Sequence, residues 1–433
     1  MNSNSVHLIA TDPPFNKGRD FHATPDSLVS GASFHDRWSW SDDVEQEWVD
    51  QITDDWPHVM NVIQGSRNSY GDDMGAFLCY MAVRLLAMRR VLRDDGSIYL
   101  HCDHTASHYL KELMDAIFGK KNFKNEIVWC YRTGGQSKRH FGRKHDIILF
   151  YGKDQRQTKF NIVLDKSYLT GQLRHSKKNK ILVDEWGEYQ EILFSKTLIK
   201  LYKDPCGYFT ITGCRDYWNI DAVGRSSKER VGFPTQKPLA LYGRIIEASS
   251  DEEDIVLDPF AGCATTCVAA EKLGRQWVGI DIWDSAHEVV VDRLRAEGLL
   301  GNFNLDDINY TTELPERTDD GETATPFLKT KRRIDEPKDQ KMSRKEMYEY
   351  LLEQHGWVCQ GCGREFDDAR YLELDHNTPR ADGGINHISN RILLCGPCNG
   401  EKRHTLTLSG LRNQNRKKGY VVNEANLKSM RNR

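Results

Sequence analysis

Residues 254–282, DIVLDPFAGCATTCVAAEKLGRQWVGIDI, read as strand, turn, helix and strand in one short segment. Ile255–Asp258 is a hydrophobic run of strand length that delivers Asp258 to its carboxyl end. Gly262 lets the backbone pass close to a ligand. Ala264, Thr265 and Thr266 start a helix, closed by Gly274, whose N-terminus faces the same crevice. The next strand, predicted over Trp277–Ile282, carries Asp281, which can hydrogen-bond both hydroxyls of a ribose. Ligands of open α/β sheets sit beyond the carboxyl ends of the strands, so Asp258, Phe260, Gly262 and Asp281 are candidate cofactor contacts. The segment is not G-x-G-x-x-G, which disfavours a dinucleotide.

The same grammar recurs toward the N-terminus. VHLIA (6–10) predicts a short buried strand that ends at Asp12-Pro13-Pro14-Phe15. Phe77, Met81, Leu85, Met88 and Leu92 fall on one face of a helix predicted over 74–92. Gly96 precedes a strand at 97–101, and a helix follows over 105–118. Further strands are predicted at 127–129 and 147–151, and a helix at 235–250. Strands alternating with helices predict an α/β sheet with parallel strands. Residues 16–73 are polar, with Gly, Asp and several Trp, and predict a substrate-side insertion rather than core. Residues 153–233 break the rhythm and predict an irregular recognition region, basic around Arg174–Lys180.

Asp12-Pro13-Pro14-Phe15 suits the grip of an exocyclic amine. The N6 amine of adenine is a poor nucleophile because its lone pair is delocalised into the ring. Accepting hydrogen bonds from both N–H groups lets the nitrogen move toward tetrahedral geometry. The Asp12 carboxylate can accept one and the Pro13 carbonyl the other. Pro13 and Pro14 fix the backbone that presents them, and Phe15 can stack on the base. A duplex hides the amine, so the target base must be flipped out.

Bulk properties set the frame. A chain of 433 residues, 39% hydrophobic and 28% charged, has room for two or three globular domains. It has no apolar run long enough for a membrane-spanning helix, and MNSNSVHLIATD lacks the regions of a signal peptide. Seven scattered cysteines, Cys79 to Cys267, read as free thiols of a reducing compartment. A soluble, cytoplasmic protein of bacterial, archaeal or phage origin is expected. Net charge is −3, but from Phe327 onward there are 21 Lys/Arg against 14 Asp/Glu, so a basic end follows an acidic body. That asymmetry points to a polyanion partner for the C-terminal part, or to a solvated tail.

Pro315, Pro326 and Pro337 among charges mark a linker over 311–342. Ser343 with Glu346 makes a capping box that starts a helix ending at Gly356. Cys359-x-x-Cys362 and Cys395-x-x-Cys398 have the spacing of a four-thiolate structural zinc site. Between them lie YLELDHNTPRADGG (371–384) and NHISNRILLCGPCNGEKRH (386–404), from which strand, loop, strand and helix can be drawn.

Residues 6 to about 290 resemble the permuted, beta-class N6-adenine DNA methyltransferases. The likeness rests on DPPF, on GSIYLHCDHTASHYLKELMDAIFG (96–119), on NEIVW (125–129), on PTQKP (234–238) and on DPFAG (258–262). It implies a Rossmann-like S-adenosylmethionine-dependent sheet with helices on both faces. It also implies that Asp12, Lys237, Asp258, Phe260, Gly262 and Asp281 contact S-adenosylmethionine. Asp in the first position of DPPF favours adenine N6 over cytosine N4. The family usually carries a strand and helix before the catalytic strand. Only about ten residues precede Asp12, so the expectation is either a sheet that lacks an edge element or a chain that starts internally relative to its relatives.

The C-terminal segment resembles the HNH nucleases, whose fold is ββα-metal. That resemblance implies His376 as general base, Asp375 and Asn399 as ligands of Mg2+ or Mn2+, and Asn390 as the residue that orients the loop and His376. Lys402 and Arg403 are implied as phosphate contacts. Asn399 stands where the family often has His, and His387 reads as a solvated loop histidine, with a stand-in metal ligand as the alternative.

The expected organisation is a methyltransferase domain over 1–310, the linker, and an HNH-like zinc domain over 343–433. DNA is the expected partner, with a homodimer raised by the resemblance. The main expectation is a restriction–modification-like fusion that methylates and cuts. Four other readings stay open: a non-cutting DNA anchor at the C-terminus, cytosine N4 as target, a regulatory DNA-binding protein with both sites inactive, and RNA as substrate.

Overall fold

A computed structural model describes the chain except residues 25–26, 133, 136–137, 170–173, 177, 284, 300–307, 313–317, 319–341, 378–385, 403–405, 407 and 430–433. The chain opens with β1 (Val6–Thr11), β2 (Phe21–His22) and β3 (Ser33–Phe34). Then come α1 (Trp40–Asp43), α2 (Gln46–Asp55), α3 (Pro57–Tyr70) and α4 (Asp72–Val91). β4 (Leu92–Cys102), α5 (Ser107–Met114), β5 (Phe123–Cys130) and β6 (His145–Gly152) follow. A run of strands comprises β7 (Leu164–Tyr168), β8 (Leu182–Asp184), β9 (Gly187–Phe194), β10 (Thr197–Asp204), β11 (Gly207–Gly213) and β12 (Tyr217–Asn219). After it come α6 (Leu239–Ser249), β13 (Ile255–Asp258), α7 (Thr265–Lys272), β14 (Gln276–Gly279) and α8 (Ala286–Ala296). The C-terminal elements are α9 (Arg344–His355), β15 (Leu372–His376), β16 (Arg391–Cys395), α10 (Gly396–Lys402), α11 (Leu408–Lys418) and α12 (Glu424–Ser429).

The described residues form two compact units, one of 1–43 with 61–319 and one of 44–60 with 320–433. The first is built on a sheet of order β12-β5-β6-β4-β1-β13-β14. β6 runs antiparallel to both its neighbours, and the other neighbouring pairs are parallel. The wholly parallel sheet predicted from alternation is therefore corrected. Among the described residues no crossover helix joins β5 to β6, and without one the chain returns antiparallel.

Leu8, Ala10 and Tyr99 point to one face, where Ile127, Trp129, Ile148 and Phe150 meet Leu241, Tyr242, Ile245 and Ile246 of α6. Residues of opposite parity, Ile9, Ile98 and Leu100, are equally buried and turn to the other face. α4 packs against β4, and α5 against β6. α4 is long because its apolar residues cover most of its surface, with Asp72 and Asp73 in its first turn and Arg89 and Arg90 in its last complementing the helix dipole.

Several expectations shift. The stretch 16–73, read as a polar insertion, contains α1–α3 and buries Val29, Ile52, Val59 and Ile63 completely. Its apolar residues are sparse but helically spaced, and composition alone hides them. The region read as irregular folds into a five-stranded antiparallel sheet, β7-β11-β10-β9-β8, over a small core of Tyr189, Tyr202 and Phe209. Its β9–β10 turn places Ser195 and Lys196 at positive φ, without the Asn-Gly that marks such turns in a sequence. α6 starts at Leu239 rather than Thr235 because Pro238 is extended. β14 stops at Gly279.

In the second unit β15 and β16 form an antiparallel pair. Met347, Leu351, Leu374, Leu393, Leu394 and Leu411 pack around the four knuckle cysteines. The Ser343–Glu346 capping box starts α9. Most of the segment read as a linker lies outside the described residues. Among those residues no helix is long and apolar enough to cross a membrane.

Candidate active site

β1 ends where the sheet needs a ligand edge. Thr11 pairs with Leu100, so Asp12–Phe15 leave the sheet beside the carboxyl end of β4. The following turn puts Asn16 at φ 61°. Asp36 holds that turn, accepting the Asn16 and Lys17 amides at 2.7 and 3.1 Å. Burial raises the Asp36 carboxyl, and the amide bonds oppose this only in part.

Lys237, expected on the cofactor, is buried and donates its ammonium to Oδ2 of Asp12. Oδ1 of Asp12 is buried and accepts no hydrogen bond among the described residues. Phe15 stacks on His101 at 5.8 Å between centroids and 20° between planes. His101 Nε2 faces Asp146 Oδ2 at 3.2 Å, and Tyr131 donates to the other Asp146 oxygen at 3.1 Å. Burial raises Asp146, but His101, Lys237 and Tyr131 hold its carboxyl below the usual range.

The DPFAG turn lies on the neighbouring strand. Asp258 is buried and accepts from Thr11 Oγ1 at 2.8 Å, Thr266 Oγ1 at 2.6 Å and the Phe260 amide at 3.1 Å. Burial pushes its carboxyl up to about 6. These bonds tie β1, β13 and α7 together behind the turn. Gly262 sits at φ 51°, and a Cβ there would meet the Phe233 ring at 3.3 Å. Its amide donates to Asp281 Oδ2 at 2.7 Å, and Trp283 N donates to Oδ1 at 2.9 Å. Asp281 is exposed, so its remaining lone pairs can accept hydroxyls. A glycine turn bonded to an accessible carboxylate fits the ribose and amino-acid portions of S-adenosylmethionine.

The second unit is separate chemistry. The Sγ atoms of Cys359, Cys362, Cys395 and Cys398 all lie within 4.8 Å of one another, with Cys362 and Cys395 3.9 Å apart. Four thiolates about 2.3 Å from a zinc ion stand about 3.8 Å apart, so the cluster has the right size for Zn2+. The Cys395 amide and Asn415 Nδ2 point at Cys359 and Cys398 sulfurs, at 3.2 and 3.4 Å.

Asp375 and His376 end β15, with His376 opposite Arg391. Lys402, expected on phosphate, is instead buried and faces Asp375 Oδ2 at 2.9 Å. Asn399 Nδ2 donates to Glu373 at 2.6 Å. The two residues expected to share a divalent ion thus each have a partner of their own, Lys402 for Asp375 and Glu373 for Asn399. Asn390 staples the loop ends, its carbonyl accepting from Asn377 N at 2.7 Å and its amide donating to His387 O at 2.9 Å. His387 accepts from Ser389 N and caps a turn. Arg403 lies outside the described residues.

Sequence reasoning missed several residues. His101 sits inside the predicted strand at 97–101 and Asp146 just before the one predicted at 147–151, and neither carries a spacing signal of its own. Asp54 of α2 faces His376 Nδ1 at 3.1 Å, and Asp50 faces Arg391 at 3.3 Å. Burial raises Asp54, yet His376, Arg344 and Arg391 keep its carboxyl below the ordinary value. Nothing local in a sequence links residues more than 300 positions apart.

An α/β sheet with an Asp-Pro-Pro-Phe edge beside a glycine turn defines an S-adenosylmethionine-type amino-methyltransferase architecture. Residues 6–292 match the DNA methylase family of N6 and N4 enzymes, and the chain belongs to that family. Residues 359–405 match the HNH endonuclease family. The type II methyltransferase M.HpaI of Haemophilus parainfluenzae is 28% identical over 299 residues, 69% of this chain and 70% of that protein. The DNA adenine methyltransferase YhdJ of Escherichia coli (strain K12) is 28% identical over 279 residues, 64% of this chain and 72% of that protein. Among solved structures, the cytosine-N4-specific PvuII DNA methyltransferase aligns at a TM-score of 0.37 and 13% identity, over 70% of this chain and 86% of that one. The chain is thus a DNA methyltransferase of the N6/N4 family with a C-terminal HNH domain.

Proposed function

We propose that the protein transfers a methyl group from S-adenosylmethionine to N6 of a flipped adenine. The observation that carries this is Asp12, with one oxygen fixed by Lys237 and the other buried and unbonded. S-adenosylmethionine supplies an electrophilic methyl on a sulfonium. Asp12 Oδ1 and the Pro13 carbonyl accept the two N6 hydrogens, which leaves the nitrogen lone pair aimed at that methyl. When bound, the sulfonium would give up its methyl to N6 and its sulfur would keep the bonding electron pair. Asp12 takes up the surplus N6 proton. Phe15, backed by His101, stacks on the base. Asp258 acts from behind by fixing the turn, and Gly262, Asp281 and Phe260 line the cofactor side. The names of adenine-specific relatives such as YhdJ support adenine over cytosine.

The second unit is a zinc-held ββα module that engages the same DNA. In the first reading it cuts, with His376 taking a proton from water. A second reading, a module that docks DNA without cutting, is favoured by the buried Lys402–Asp375 pair.

Unmethylated plasmid incubated with labelled S-adenosylmethionine, with Mg2+ or Mn2+, and with both tests the two halves. Label with ion-dependent cleavage supports the bifunctional reading. Label without cleavage supports the docking reading, and absence of label overturns the methyltransferase assignment to DNA.

A further inference from the structure

Residues 138–144, KRHFGRK, lie between β5 and β6. The loop leaves the same end of the sheet as Asp12, because β5 and β4 end there and β6 begins there. Its feet are tied to the catalytic edge. Arg143 Nη1 is 2.8 Å from His104 Nε2, and Asp103 next to His104 pairs with Lys17 at 2.9 Å. Lys17 is two residues beyond Phe15. On the other side the Tyr131 amide donates to the Lys144 carbonyl at 3.0 Å, and the Tyr131 hydroxyl reaches Asp146.

At the tip Phe141 is 97% exposed. Lys138, Arg139, Arg143 and Lys144 flank it in the chain, and no Asp or Glu occurs between Tyr131 and Lys144. The fold gains nothing from such a side chain in water. The cations match a phosphate backbone, and an apolar ring held between phosphates has one natural place, the base stack. A base that leaves a duplex opens a gap of ring size beside the enzyme that extracts it.

We propose that the 138–144 loop enters duplex DNA next to the target, with Phe141 filling the position vacated by the flipped base. This rests on the reading of base-flipping methyl transfer given above. The loop is then a device for duplex substrates, since an unpaired target needs no wedge to stay out.

The test is single-turnover methyl transfer by the full-length protein on a duplex carrying a site mapped with the wild type. Two duplexes are compared, one with the target base paired and one with it mismatched. Phe141→Ala should slow transfer at the paired target by about tenfold or more, on the scale of one lost base–aromatic stack. At the mismatched target the loss should shrink to about twofold. Phe141→Trp should keep most of the wild-type rate on both. Equal rates for Phe141→Ala and wild type, or equal slowing on both duplexes, would overturn the wedge alone. A wild type that transfers no methyl to either duplex would overturn the underlying reading and the wedge with it.

Discussion

Lys237 and Asp12, 225 positions apart in the chain, meet at the sheet edge, where the ammonium bonds Oδ2 and leaves Oδ1 turned inward and buried. A carboxylate pinned on one side by a cation cannot rotate away from its task. It faces the incoming amine already oriented, so little reorganisation is needed at the moment of transfer.

Lys237→Met should therefore cut the single-turnover methylation rate by about a hundredfold at saturating S-adenosylmethionine, the scale of losing one preorganised electrostatic contact. A variant that keeps its rate at saturation and loses only cofactor affinity would return Lys237 to the cofactor site alone.

Asp258 should make the first unit pH-sensitive. Its native carboxyl titrates at about 6, above the ordinary value of 3.8. The folded state thus holds a proton that the unfolded state releases in that window. Stability falls as pH rises from about 4 to about 6, by about 3 kcal/mol in total, and stays lower above it. Asp258→Asn should flatten that slope, as read by urea unfolding followed through amide exchange in β13 and α7. An unchanged slope would contradict the assignment.

Much of this was legible in the sequence. Strand–turn–helix–strand at 254–282, the DPPF edge and the paired knuckles are local patterns, and each lies where its spacing placed it. Two kinds of feature were not. The antiparallel β6 depends on whether a crossover helix fits between two strands, which hydrophobic runs alone do not reveal. Partners such as Lys237 on Asp12, Thr11 on Asp258 and Asp54 on His376 are created by topology, so a motif identifies one member and leaves the other unnamed. Lys402 shows the converse: a basic residue near a nuclease-like motif reads as a phosphate contact, yet it is buried on a carboxylate.

Chelating zinc should expose β15, β16 and α10 to amide exchange while β1, β4 and β13 stay protected, because the second unit has only a small core around its cysteines. Simultaneous loss of protection in both sets would contradict two independently held units.

Asp50→Ala should weaken the second unit. The Asp50 and Arg391 side chains are 2% and 0% exposed, and removing the carboxylate takes away the Oδ2 that both Arg391 and Asn386 bond. The expected cost is about 3 kcal/mol, measured as the shift in urea midpoint of β16 exchange. A shift below about 0.5 kcal/mol would show that residues 44–60 do not stabilise that unit.

The most direct test of the central claim is nucleoside analysis of unmethylated DNA after incubation with labelled S-adenosylmethionine and either wild type or Asp12→Ala. The account expects N6-methyladenine from the wild type and none from the variant, with S-adenosylmethionine affinity of the variant largely kept. Label in N4-methylcytosine, or undiminished transfer by Asp12→Ala, would contradict it.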